Sequence, residues 1–178
     1  MILSMPLKTL RAWLGVDRFD RPEHTPLRDL LDALDRLNPE RAQYLARFAY
    51  LLGRVAHADR HVSPQETQAM EAILMNEGDL SLEQAMLVVG LAKTSNLLFG
   101  GTADYLVAQE FAAHSSYEEK LALVGCLFAV SATDEAISMA EETEIHRIAN
   151  HLKVEPSDIT RLRLAHRKHL PGLANGRA

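Results

Sequence analysis

The chain repeats itself, and that repeat limits its fold more than any other feature. Val55-Ala-His-Ala-Asp59-Arg-His-Val62-Ser63-Pro-Gln-Glu66 aligns with Val130-Ser-Ala-Thr-Asp134-Glu-Ala-Ile137-Ser138-Met-Ala-Glu141, a shift of 75 residues. The match continues upstream, with Phe48 on Leu123 and Leu52 on Leu127, and downstream, with Met70 on Ile145 and Ile73 on Ile148. Each copy reads as an apolar helix, a short loop opening on Asp, and a capped amphipathic helix. A third helix follows each, at Ser81 and at Pro156. Such a unit cannot bury all its apolar surface alone, so two units must cover one another. The spacing predicts two related helical units joined by residues 95–115, packed about a pseudo-twofold axis.

Helix signals run along the rest of the chain. Apolar residues recur at spacings of three and four, and strand signals are scarce. Helix starts are written as Asn38-Pro39, Ser63-Pro64-Gln65-Glu66, Ser81-Leu-Glu-Gln84, Ser115-Ser-Tyr-Glu118, Ser138-Met-Ala-Glu141 and Glu155-Pro156. These are N-caps, capping boxes and first-turn prolines, which satisfy orphan backbone N–H groups. They predict helices over 4–14, 26–37, 39–57, 64–76, 81–97, 102–113, 116–132, 139–151 and 156–169. Tyr44–Ala56 and Leu121–Val130 are apolar nearly all round, as a central helix pair must be. The fold class is therefore all-α, a compact bundle of about 8–9 helices. Residues 1–25 are expected to form an N-terminal amphipathic helix and linker, 26–170 a single domain, and 171–178 a flexible tail.

Composition narrows the function classes. The 178 residues carry 24 acidic and 19 basic side chains, a net charge of -5, which argues against nucleic-acid binding. After Asp158 no acid follows, while Arg161, Arg163, Arg167, Lys168 and Arg177 do. This end reads as a solvated helix face favoured by the helix dipole. The single cysteine, Cys126, permits no internal disulfide and suits a cytoplasmic, reducing setting. It lies in an apolar run and reads as a small buried hydrophobe. No stretch reaches the roughly 18 uninterrupted apolar residues of a membrane-spanning helix. Ile2, Leu3, Leu7, Leu10, Trp13 and Leu14, with Lys8 and Arg11 between them, describe a short amphipathic helix. It is expected to pack on the body of the domain, with peripheral membrane contact as the alternative.

The chemistry, if local, sits in the twin loops. Their shared pattern is Asp-x-x-(Val/Ile)-Ser-x-x-Glu. Asp accepts turn N–H groups, Ser and Glu close the next helix start, and Val62 or Ile137 plugs the core. The same oxygens could hold a divalent metal ion, and the candidate ligands are Asp59, Glu66, Asp134 and Glu141. A self-contained calcium loop is not expected, because its turn glycine is replaced by Arg60 and Glu135. His57 and His61 are four apart, a zinc-clamp spacing if a helix carries both. No phosphate loop, nucleophile elbow or cysteine cluster is present, so no catalytic residue and no certain cofactor is expected. Leu97-Leu98-Phe99 is a candidate exposed patch for a protein partner or a second copy of the chain.

Ala58-Asp59-x-x-Val62-Ser63-Pro64-x-Glu66 and Thr133-Asp134-x-x-Ile137-Ser138-x-x-Glu141-Glu142, followed by His151-Leu152-x-Val154-x-Pro-x-Asp158, resemble the doubled signature and ending of TerB-like domains. The resemblance spans roughly residues 38–168. It implies an all-helical fold, a link to tellurite resistance and stress response, and metal association. It implies no settled biochemical activity.

Overall fold

The computed structural model describes residues 25–56, 64–95, 104–133 and 136–170. These residues form eight α-helices and one short 3-10 turn, with no strand among them. In chain order the helices are α1 (Thr25–Asp35), α2 (Pro39–Ala56), α3 (Pro64–Asn76), α4 (Leu82–Ser95), α5 (Asp104–His114), α6 (Tyr117–Ser131), α7 (Met139–His151) and α8 (Pro156–Ala165), and the turn is Arg167–His169. The expected helix over 4–14 lies outside the described residues.

Local chemistry explains the starts. Asn38 Oδ1 accepts from Glu40 N–H at 2.9 Å, and Pro39 opens α2 where its missing N–H costs nothing. Ser81 and Gln84 cap α4 reciprocally, at 3.3 and 3.5 Å. At α6 the capping box begins one residue later than expected. Ser116 Oγ accepts from Glu119 N–H at 3.1 Å, and Glu119 accepts from Ser116 N–H at 2.8 Å. Ser115-x-x-Glu118 and Ser116-x-x-Glu119 both satisfy the capping pattern, so the pattern alone cannot choose between them. With the helix starting at Tyr117, that hydroxyl reaches the start of α8. It donates to Asp158 Oδ2 at 2.8 Å and accepts from Glu155 N–H at 3.1 Å.

The core sits between α2 and α6, which pack on each other. Phe48, Leu52, Leu123 and Leu127, paired by the repeat, are all fully buried. Each such side chain contributes roughly 1.5–3 kcal/mol of transfer free energy. The second helix of each unit crosses to the other unit: α3 packs on α6, and its counterpart α7 packs on α2. α4 covers α2 as α8 covers α6. The exchange between the units is reciprocal, while the packing within each unit differs: α3 packs on α4, whereas α7 packs on α6. α5 joins the units, packing on α2 and α7, with Phe111 against Tyr44 and Phe48 at ring separations of 5.3 and 6.3 Å.

The C-terminal end differs from expectation. The helix predicted over 156–169 stops at Ala165, and His166 leaves helical geometry at φ -108°, ψ 23°. The chain then folds back so that Leu170 is buried and His169 C=O accepts from Ile137 N–H at 2.7 Å. Arg163 pairs with Glu142 and Arg161 with Asp158 at 2.9 Å. Arg163 thus ties α8 to α7, while Arg161 pairs within its own helix and stays exposed with Arg167 and Lys168, as a solvated face does.

Candidate functional site

The second twin loop is described except for Asp134 and Glu135. α6 closes with Ala132 N–H on Phe128 C=O and Thr133 Oγ1 donating to Val130 C=O at 2.7 Å. Ile137 is fully buried, and Ser138 then starts α7 with the expected capping box. Ser138 Oγ accepts from Glu141 N–H at 3.2 Å, and Glu141 Oε2 accepts from Ser138 N–H at 2.7 Å. Glu141 is only 9% exposed. Its carboxylate is thus committed to the helix start, where backbone N–H groups and the helix dipole favour a negative charge. Beside it, Glu142 bonds Arg163 of α8 and lies 3.9 Å from His146 one turn on.

The first twin loop falls mostly outside the described residues, which exclude Asp59, His57, His61, Val62 and Ser63. Glu66 is described. It occupies the first turn of α3, half-buried, the position that Glu141 holds in α7. Of the four candidate metal ligands, Glu66 and Glu141 are therefore placed, and Asp59 and Asp134 lie outside the described residues. Among the described residues no three His, Cys, Asp or Glu side chains gather as a metal ion would require. The Leu97-Leu98-Phe99 patch also lies outside them.

The groups with displaced protonation equilibria belong to the core and its rim. Burial pushes the Cys126 thiol up to about 12, with Glu77 adding to it. Burial, aided by Glu119, raises the Tyr44 hydroxyl far above the ordinary range. Burial lowers Arg47, opposed by Glu110 at 3.4 Å. In each case the apolar surroundings dominate, as they do for a structural group. Cys126 is inert packing, as its apolar run predicts.

An exposed feature that the sequence did not single out lies toward the turn end of the α3–α4 hairpin. Lys93 Nζ bonds Thr67 Oγ1 at 3.1 Å, which fixes the antiparallel register. Met75 is then level with Met86, and Leu82, Met86 and Lys93 share one stripe of α4. Met75, Leu82 and Met86 are 41%, 52% and 52% exposed. Ala85, Val88 and Ala92 on the opposite side of α4 are buried. The helix is therefore apolar on two faces, and only one of them is covered by the core. Glu83 follows Leu82 on the same helix and is exposed, and Lys93 shares the stripe, so the face carries charges of both signs.

No described helix is long and apolar enough to cross a membrane. No curated protein and no solved structure matches the chain. The family model described as "Tellurite resistance protein TerB" matches residues 45–164, more than half of the chain and nearly all of the two reciprocally packed units. With the doubled motif, the all-helical architecture and that match together, the chain belongs to the TerB family.

Proposed function

We propose that this chain is a non-enzymatic helical module of the tellurite and stress response that acts by binding a protein partner. The observation that supports this reading is the uncovered apolar stripe of Met75, Leu82 and Met86. Apolar surface gathered on one face and rimmed by polar groups marks an interaction site. Lys93 shares this stripe and Glu83 adjoins it, so the partner it suits is an amphipathic helix whose apolar face is flanked by charges of both signs. Glu141 is committed to the start of α7 as a cap, which favours the exposed surface as the place where specificity resides.

A growth assay in tellurite tests this reading, using a host strain that lacks the chain. The wild-type chain should restore growth. A Leu82→Glu/Met86→Glu variant should not, although it accumulates and melts like the wild type, because both side chains are half-exposed. Equal rescue by the variant, or no rescue by the wild type, overturns the reading.

A second reading is a divalent-metal protein that draws on Asp59, Glu66, Asp134 and Glu141. The repeat supports it, since both copies of the motif carry the same Asp, Ser and Glu oxygens. A thermal melt of metal-stripped protein separates the two readings.

A further inference from the structure

We infer that residues 166–170 form an acid-sensitive latch on the second repeat motif, closed while His166 is neutral and released when it takes a proton. The latch does not depend on a partner at the α3–α4 face.

Three contacts hold this strap down. His166 turns the chain out of α8 at φ -108°, ψ 23°, and its ring lies nearly parallel to Phe128, with centroids 6.5 Å apart and planes 14° apart. His169 C=O accepts from Ile137 N–H at 2.7 Å. Leu170 is buried at the far end. Between these anchors runs only the short 3-10 turn Arg167–His169, whose hydrogen-bond geometry is poorer than that of an α-helix. A segment with so few anchors opens at a lower cost than the helices beneath it.

Charge works against closure as pH falls. His166, Arg167, Lys168 and His169 are consecutive. Arg167 and Lys168 are exposed and carry two positive charges, and protonation of both histidines doubles that number within one strap. The surroundings of His166 do not offset this. Burial disfavours its charged form, Glu77 just past the end of α3 favours it, and His169 disfavours it; burial dominates, so His166 sits below its ordinary value. Glu77 also faces α6, with Oε2 4.0 Å from where a Cβ on Gly125 would lie. Cys126 of α6 stays neutral, its thiol pushed up to about 12 by burial. From α7, His146 meets the same Phe128 ring edge-on at 6.4 Å. Glu142, 3.9 Å from His146, is already bonded to Arg163 of α8.

The sign follows from where the proton binds best. In the released strap His166 is in water and takes a proton near its ordinary value of about 6.5. Between that value and the lowered one, the released strap holds a proton that the closed strap does not, so opening becomes easier as pH falls. Above that window neither form is protonated, and the latch keeps its full strength. Opening bares the Ile137 N–H and the socket of Leu170, beside the second motif.

Residue-resolved amide exchange on the full-length chain tests this, because the acceptor for Ile137 N–H belongs to the strap. With intrinsic exchange divided out, the protection of Ile137 should fall between pH 7.5 and pH 5.5, by up to about tenfold for one proton bound near 6.5. It should stay below the protection of Leu127 in mid-α6 at both pH values. Dilute urea should speed exchange at Leu127 and leave Ile137 nearly unchanged, since releasing the strap exposes little surface. His166→Gln, which takes no proton, should give Ile137 the same protection at both pH values, and so should His166→Phe, which keeps a ring against Phe128. Unchanged protection of Ile137 in the wild type overturns the inference. So does protection equal to that of Leu127 with the same urea dependence, which would mean global unfolding, or an acid-induced fall that persists in both His166 variants, which would place the titrating group elsewhere.

Discussion

Ile137 is the residue through which the repeated motif grips the core, and its replacement should be costly in a graded way. The side chain is fully buried in the same core as Leu123, Leu127, Phe128 and Ile145, which are themselves fully buried. Its N–H is held by His169 C=O, so the backbone is tied on one side and the site has little freedom to collapse. Ile137→Val removes one methyl group and should cost about 0.5–1.5 kcal/mol, and Ile137→Ala about 2–5 kcal/mol, the upper part applying where collapse is restricted. In a domain of this size, 1 kcal/mol moves Tm by about 2–4 °C. The alanine variant should therefore melt roughly 5–15 °C lower. Ile137→Asp buries a carboxyl with no cation provided for it and should be worse still. Against a typical total of about 5–15 kcal/mol, the aspartate variant is expected to be largely unfolded at 37 °C. Circular dichroism melts and urea titrations measure the series. An aspartate or alanine variant melting within 2 °C or so of the wild type would refute the inward assignment and, with it, the structural account of the motif.

Three further predictions stand on single groups. Ser138→Ala removes the hydroxyl that accepts from Glu141 N–H and should cost about 1 kcal/mol in a urea titration; an unchanged midpoint would take Ser138 out of the cap. Burial lowers His166 below its ordinary value, with Glu77 opposing and His169 adding to the effect. Between the lowered value and about 6.5 the unfolded chain holds a proton that the folded chain does not, so stability falls as pH drops through that window. The difference between wild type and His166→Gln should narrow or reverse from pH 7 to pH 5, and a constant difference would refute this. Cys126, buried and with its thiol pushed up to about 12, should resist a thiol reagent at pH 8 until urea unfolds the chain; rapid labelling of the native protein would show the site to be open.

Signals that lie within a few residues of each other were legible in the sequence. Asn38, the Ser81–Gln84 pair and the Ser138–Glu141 pair all cap the helices they were expected to cap, because a cap is made with the next turn of the same helix. The doubled serines and glutamates at 115–119 show the limit, since two adjacent frames satisfy the same rule and only the reach of Tyr117 to Asp158 distinguishes them. Features made across the chain were not legible. The bond from Ile137 N–H to His169 joins residues far apart in sequence, so the C-terminal stretch read as a continuing helix with a charged face. The exposure of Leu82 and Met86 was not legible either, because it depends on which neighbours the fold brings beside them. The placed half of the candidate site, Glu66 and Glu141, occupies the helix-start positions that the repeat predicts. Asp59 and Asp134 fall outside the described residues.

The account holds that the twin motifs secure helix starts and that specificity lies on the surface. Its most direct test is a thermal melt of metal-stripped protein, with and without Ca²⁺, Zn²⁺ and Mn²⁺, on the wild type and an Asp59→Asn/Asp134→Asn variant. A ligand at about 100 times its Kd adds about 2.7 kcal/mol, a rise of several degrees. The account predicts the same Tm with and without each metal. A metal-dependent rise in the wild type that the double variant lacks would contradict it and make the twin loops a binding site.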